Sequence, residues 1–170
     1  ADGFWQVHSQ AADVLAGAVV EALLPEPGEV GLDLFCGVGL FAGVLSARGV
    51  TMHGIEGNRR AVETARRNVP EATFAVGDVQ RVLRRWNRPV DLVVLDPPRT
   101  GAGIPLMKRT LELGARAVAY VACDPAAFAR DLKVALEEGW ALSRIQAFDL
   151  FPMTHHIELV ALLTSSKAAR

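Results

Sequence analysis

A thiol suited to nucleophilic attack and a carboxylate suited to act as a base stand far apart in this sequence, at Cys123 and Glu158. Cys123 closes the stretch Val118–Pro125, V-A-Y-V-A-C-D-P. The run before it is apolar and β-branched, which suits a buried strand. After it, Asp124 is a good helix N-cap and Pro125 is tolerated at the first helical position. The sulfur is thus expected at a strand's carboxyl end beside a helix N-terminus, the edge where open α/β sheets bind ligands. The partial positive charge of the helix end favours thiolate over thiol. On this stretch alone, a nucleophile and a small buried apolar cysteine are equally good readings. Glu158 stands between Ile157 and Leu159. Partial desolvation there raises a carboxyl pKa and makes a better base.

Two further stretches carry binding chemistry. Asp96-Pro97-Pro98-Arg99 follows a strongly apolar strand. Its two prolines can neither continue a sheet nor enter a helix interior, so they make a stiff exposed loop that fixes the Asp96 carboxylate and the Arg99 guanidinium. D-P-P-x loops in this position recur in methyltransferases that act on nucleobases. The other stretch, Gly37-Val38-Gly39-Leu40-Phe41-Ala42, fits G-x-G-x-x-[G/A] between a strand and a helix. Gly37 allows the tight turn, and Gly39 is expected to let a ligand approach the backbone. Nineteen residues after Gly37, Glu56 ends the second strand, where a carboxylate accepts hydrogen bonds from ribose hydroxyls. These features fit an adenosine cofactor without separating NAD from S-adenosylmethionine, and Asp33 in D-L-F-C-G-V-G leans towards the methyltransferase form. Asp78, after the third strand, reads equally as an adenine contact and as a plain N-cap for the helix at Val79. His155 and His156 raise the thought of a metal held with Glu158. Adjacent residues on a strand point to opposite faces, so no metal is expected.

The elements that must position these groups can be read from periodicity. Helices are expected from about His8 to Leu24, then over Leu40–Arg48, Arg59–Asn68, Val79–Trp86, Ile104–Leu113 and Ala126–Glu138. Strands are expected over Val30–Leu34, Val50–Glu56, Thr73–Val76, Val90–Leu95, Ala117–Ala122, Ala141–Phe148 and Ile157–Leu163. Strands alternating with helices imply βαβ units and a parallel sheet. The last two strands have no helix between them and must form a hairpin, so the final strand runs antiparallel. The expected fold is α/β and Rossmann-like, a mostly parallel seven-stranded sheet with one antiparallel strand in a C-terminal hairpin.

Composition narrows the rest. The 170 residues are 51% hydrophobic and 22% charged, right for one folded domain over residues 1–170. No run approaches the roughly 20 apolar residues of a membrane span, and no signal pattern opens the chain. Two cysteines, Cys36 and Cys123, are too few for a disulfide framework or a cysteine-bound metal cluster, so a reduced, cytoplasmic setting is expected. Cys36, with no base to assist it, reads as structural. Net charge is −1, which gives no global footprint for nucleic acid. Arginines do cluster, at Arg59, Arg60, Arg66, Arg67, Arg81, Arg84, Arg85 and Arg88, and are read as solvated helix faces.

Taken together, the motifs resemble the RNA uridine C5-methyltransferases, the family that makes 5-methyluridine in tRNA and bacterial ribosomal RNA. F-W-Q-V at Phe4–Val7 looks like the family's F-x-Q, and L-D-L-F-C-G-V-G its cofactor motif. D-P-P-R-T-G at Asp96–Gly101 matches the fourth-strand motif. Y-V-A-C-D-P resembles Y-V-S-C-N-P, and F-P-M-T-H-H-I-E resembles F-P-x-T-x-H-V-E. The resemblance implies S-adenosyl-L-methionine as cofactor, an RNA substrate, Cys123 as nucleophile and Glu158 as base. It implies that Gln6, Phe35, Gly37, Gly39, Glu56, Asp78 and Asp96 line the cofactor and target-base sites, with Phe4 and Arg99 towards the substrate. A monomer with no membrane or metal partner is expected. His8, Leu40, Ala122 and Asp124 depart from the family's usual residues. Members usually carry an N-terminal RNA-binding domain, and this chain begins almost at the F-x-Q motif, as an excised catalytic domain or an unusually short member would. The competing readings are a nucleobase N-methyltransferase, which needs no cysteine, and a cofactor- or RNA-binding module without catalysis.

Overall fold

The computed structural model describes residues 9–149 and 157–165. Seven strands, β1 (Val30–Leu34), β2 (Thr51–Glu56), β3 (Thr73–Val76), β4 (Leu92–Leu95), β5 (Ala117–Ala122), β6 (Trp140–Phe148) and β7 (Glu158–Ser165), form one sheet. Their order is β3-β2-β1-β4-β5-β7-β6. β1 to β5 pair in parallel, and β7 pairs antiparallel with β5 on one side and β6 on the other. The single reversed strand expected from the sequence is therefore present, lodged between β5 and β6.

Six helices cover the sheet: α1 (Ser9–Leu23), α2 (Leu40–Ser46), α3 (Arg59–Asn68), α4 (Val79–Arg84), α5 (Ile104–Leu111) and α6 (Pro125–Glu137). Leu15 and Val19 of α1, Phe41 and Leu45 of α2 and Val62 and Ala65 of α3 share one apolar cluster. Leu83 of α4, Met107 of α5 and Phe128 and Val134 of α6 share the other. With helices on both faces, β4 and β5 are buried at every position. That is why they read as continuous apolar runs and not as alternations.

Several helices end before the periodic pattern does, α5 at Leu111 and α6 at Glu137 among them, and two of these ends have a visible cause. The pattern runs to Trp86, yet α4 stops at Arg84. Arg109 of α5 donates through Nε to the Leu83 carbonyl and through Nη2 to the Trp86 carbonyl, satisfying acceptors that a longer helix would have used. α2 stops at Ser46, and Gly49, at φ 83°, turns the chain into β2. α6 begins one residue earlier than expected, at Pro125, with Asp124 accepting from the Ala127 amide at 2.8 Å.

The order reverses between β1 and β4, each of which sends its connection outward to a different side. That reversal leaves a crevice at their carboxyl ends, the place where doubly wound sheets hold ligands.

Candidate active site

Every chemically active group singled out in the sequence that lies within the described residues stands on one edge of the sheet. Phe35–Gly39 leaves β1, Glu56 ends β2, Asp78 follows β3, Asp96 follows β4 and Cys123 follows β5. β7 runs the other way, so its first residue, Glu158, sits at the same edge; Leu159 pairs with Ala122, the residue before Cys123. Phe4, Gln6 and the Phe151–His156 stretch fall outside the described residues.

The glycine turn is held tightly to β2. The amides of Phe35 and Cys36 both donate to the Ile55 carbonyl, at 2.9 and 3.1 Å. Phe35 takes a left-handed φ of 65°, a conformation that costs a non-glycine residue of order 1–3 kcal/mol and is concentrated at functional sites. Gly37, at φ 51°, has nothing within 4 Å of where a Cβ would stand, so its backbone faces open space. Gly39 is packed on its Cα side. A Cβ there would lie 3.2 Å from Val69 Cγ2 and 3.4 Å from Ala65 Cβ. Its missing side chain lets the turn pack under α3, and Gly37 is the residue open to a ligand. Cys36 is buried beneath the turn, and burial pushes its thiol far up, as a structural cysteine requires.

The carboxylates around this turn divide into anchored and strained. Glu56 accepts from the Gly37 amide at 3.2 Å and from the Asn58 amide at 2.7 Å, which fixes its orientation. Asp78 accepts from the Arg81 amide at 2.8 Å, so the N-cap role is present. Asp33 is fully buried; Oδ2 accepts from the Ala42 amide at 3.0 Å, while Oδ1 meets no donor among the described residues. Burial, reinforced by Glu56, pushes its carboxyl up to about 7. Asp96 is also pushed up, to about 8, by burial first and then by Asp33, Glu158 and Glu56. A buried acceptor without a donor, beside a turn with exposed backbone, is a place for a ligand that brings hydrogen and positive charge.

At the other end of the crevice, Cys123 is half-buried. Its thiol is raised by burial, then by the Glu158 and Asp96 carboxylates; its own amide and Arg99 pull the other way. Burial first, and then two carboxylates from distant parts of the chain, oppose the effect expected of the helix end at Asp124. Glu158 is 5% exposed, and burial raises its carboxyl above the ordinary 4.5. Pro97, Arg99, Tyr120, Cys123 and Ala127 line a narrow cleft between the two loops. Pro97 is buried, while Pro98 and Arg99 are exposed.

One group was missed. Asp131 of α6 accepts from the Ala102 amide at 2.6 Å, the Gly103 amide at 3.0 Å and the Tyr120 hydroxyl at 2.6 Å. It ties the loop after Asp96 to β5 and to the helix that follows Cys123. Gly101, at φ 81°, makes room for it; a Cβ there would lie 2.7 Å from Asp131 Oδ2. The signal was legible, since Asp131 occupies the buried stripe of Ala127, Phe128, Val134 and Ala135.

A family model described as tRNA (uracil-5-)-methyltransferase matches residues 82–166, and one described as methyltransferase small domain matches residues 7–117. An uncharacterized RNA methyltransferase of Streptomyces avermitilis is 53% identical, over 95% of this chain and 39% of that protein. The 23S rRNA (uracil(1939)-C(5))-methyltransferase RlmD of Shewanella sp. (strain ANA-3) is 39% identical, over 96% of this chain and 38% of that protein. Among solved structures, the Pyrococcus abyssi tRNA (uracil-54, C5)-methyltransferase in complex with S-adenosyl-L-homocysteine superposes with a TM-score of 0.81 at 37% identity, over 96% of this chain and 40% of that one. The chain spans about two fifths of the length of the curated relatives it matches.

Proposed function

The chain belongs to the tRNA (uracil-5-)-methyltransferase family, and from that premise we propose that it is a catalytic domain that methylates carbon 5 of a uridine in rRNA or tRNA. The observation that carries the proposal is that Asp96 after β4, Cys123 after β5 and Glu158 at the start of β7 share one sheet edge, where Leu159 pairs with Ala122. The cofactor is S-adenosyl-L-methionine, which supplies an electrophilic methyl group when bound. The residues fit it: the open backbone at Gly37, the anchored Glu56 for ribose hydroxyls, and the buried unpaired Oδ1 of Asp33. Phe35 and Asp96 belong to the loops at that crevice, and on this reading Asp78 serves the adenine, Gln6 the cofactor and Phe4 the substrate. The same reading has the protein act as a monomer in the cytoplasm without a metal. Among the described residues no helix is long and apolar enough to cross a membrane.

Carbon 5 of uracil is too weak a nucleophile to take a methyl group unaided. The Cys123 thiolate adds to carbon 6, breaking the C5–C6 double bond and moving its electrons onto an enolate, which makes carbon 5 reactive. Arg99 lies on the side that favours the thiolate. Once carbon 5 carries its methyl group, the Glu158 carboxylate removes the remaining C5 proton. The electrons of that C–H bond rebuild the double bond and expel the sulfur as thiolate. The base must leave its stack to reach these groups, at a cost of a few kcal/mol.

The test is nucleoside analysis of RNA incubated with S-adenosylmethionine and the full chain. Cys123→Ala is expected to give neither 5-methyluridine nor a covalent complex. Glu158→Gln keeps the shape and removes the base, so a methylated RNA–protein adduct accumulates and survives denaturing electrophoresis. Full 5-methyluridine formation by the Cys123→Ala protein overturns the mechanism. A methyl group found on an exocyclic amine instead supports the N-methyltransferase reading.

A further inference from the structure

We propose that the arginine-rich segment Gly57–Pro89, on the β3 side of the sheet, is a docking surface for the phosphate backbone of RNA; the proposal rests on the RNA-methylating reading above. The segment holds eight arginines against three acids, Glu63, Glu71 and Asp78, for a local net charge of +5 in a chain whose total is −1. All eight arginines are exposed. None makes an ion pair among the described residues. The ion pairs that do form use Lys108, Arg109, Arg116, Lys133 and Arg144, all from outside the segment. Arg66 and Arg67 each donate to one neutral acceptor, the Phe74 carbonyl and the Thr64 hydroxyl.

The arginines wrap the β3 side of the sheet, because α3 packs in one apolar cluster and α4 in the other. On α4, the buried Val79 and Leu83 face the core, while Arg81, Arg84 and Arg85 share the outer face at i, i+3 and i+4 spacing. On α3, Val62 and Ala65 are buried, and Arg59, Arg60, Arg66 and Arg67 lie outside. α3 packs against β3, the terminal strand of the sheet, α4 packs against β2, and Arg66 donates to the Phe74 carbonyl of β3 at 2.8 Å. Arg88 lies over the Trp86 ring at 5.7 Å. Both helices start at the edge that carries Cys123. β3 is four strand steps from β5, or about 19 Å at a spacing of about 4.8 Å. A nucleic-acid strand carries one phosphate per about 3.4 Å of duplex axis, so about six nucleotides reach from the cleft to this surface. Guanidinium groups unpaired with carboxylates are suited to phosphate oxygens, and salt-dependent, sequence-independent binding is what such contacts give.

The experiment measures anisotropy of a fluorescein-labelled RNA stem–loop with a uridine in its loop, titrated with the full chain at several salt concentrations. Arg84→Glu/Arg85→Glu is compared with Arg59→Glu/Arg60→Glu, whose new acids sit at a helix N-terminus and are compatible with its dipole. Each double variant is expected to weaken RNA binding at least tenfold. The slope of log Kd against log salt is expected to fall by about 1.4–1.8, the loss of two phosphate contacts. S-adenosylhomocysteine affinity by calorimetry stays at the wild-type value, and Arg84→Lys/Arg85→Lys retains most of the RNA affinity. Wild-type affinity and salt slope in both reversed variants overturn the docking surface even if 5-methyluridine is formed. Weakened binding to anionic vesicles with RNA binding unchanged does the same and assigns the patch to a lipid surface. RNA binding that depends on these arginines in a protein that makes no 5-methyluridine upholds the surface and removes the reaction.

Discussion

The clamp formed by Asp131 is the feature whose removal can be worked through most fully. The side chain is 4% exposed and accepts three hydrogen bonds, two of them at 2.6 Å. In Asp131→Ala the Tyr120 hydroxyl, itself 1% exposed, loses its acceptor in a place water does not reach. An unsatisfied buried group costs about 1–3 kcal/mol. The Ala102 and Gly103 amides are half-buried, so water recovers part of their loss. Together with the lost packing, a cost of about 4 kcal/mol is expected, from one unsatisfied buried hydroxyl and two amides that water partly recovers. Asp131→Asn is milder. Its oxygen can take the Oδ2 position and keep Tyr120 and Ala102, while its amide faces the Gly103 amide, a single lost bond worth about 1–2 kcal/mol. In a domain of this size 1 kcal/mol moves Tm by about 2–4 °C. Thermal denaturation should therefore put the Asn variant down by about 2–8 °C and the Ala variant by about 8–16 °C. Gly101→Ala adds a sharper check, because its Cβ collides with Asp131 Oδ2 while its φ strain is independent of Asp131. In a double-mutant cycle, Asp131→Ala should relieve the collision and leave the strain, giving a coupling well above the ~0.5 kcal/mol typical of independent sites. An Asp131→Ala Tm within about 2 °C of wild type, equivalent to under about 1 kcal/mol, or strict additivity with Gly101→Ala, would refute the clamp.

Glu56→Ala should weaken S-adenosylhomocysteine binding in calorimetry by about 1–3 kcal/mol, the cost of an unpaired polar partner; binding of NAD in its place would contradict the cofactor assignment. Stability should also depend on pH with a definite sign. Asp33 and Asp96 are raised from 3.8 to about 7 and about 8, so the folded chain holds protons that the unfolded chain has released. Their contribution is full below the unfolded pKa and is lost as pH rises through the folded values. The ligand-free Tm should fall from about pH 6 to about pH 8.5, and Asp33→Asn should flatten that fall; a Tm that rises over this window would count against the buried acids.

What was legible in the sequence was what a few neighbouring residues determine. The turn after β1 could be read because Gly37 and Gly39 must take positive φ there, and the start of α6 because Asp124 and Pro125 are cap residues in sequence. The order of helices and strands followed from alternation of periods. What escaped depends on partners far along the chain. β7 enters the sheet between β5 and β6 through pairings such as Val121 with Val160, which no local pattern encodes. α4 ends early because of Arg109, 25 residues after Arg84. The packing of Gly39 against Val69 and Ala65, residues of the next helix and its cap, is of the same kind. The thiol's state was argued from the adjacent helix end, while burial raises it first and then Glu158 and Asp96, which come from other strands.

Those same influences bear on how one site can use a thiolate and a carboxylate in turn. Cys123 is raised by Glu158, while the shift of Glu158 has burial as its cause. The asymmetry follows from the order of titration. Glu158 loses its proton while the thiol is still neutral, so only desolvation moves it; the thiol then ionises against a charge already present. The resting site therefore resists carrying both charges, and free thiolate is scarce until a substrate takes it up. On the proposed chemistry, the bond from sulfur to carbon 6 converts the thiolate into an uncharged thioether. That removes the negative charge facing Glu158 at the step where a carboxylate base is required. When the C5 proton moves to Glu158, the carboxyl becomes neutral as the sulfur leaves with its charge, so during release the two groups exchange one negative charge. A substitution that keeps the carboxylate but breaks this alternation, such as Glu158→Asp, should slow release of the adduct more than its formation, because the shorter side chain leaves the charge in place and draws the base away from the proton.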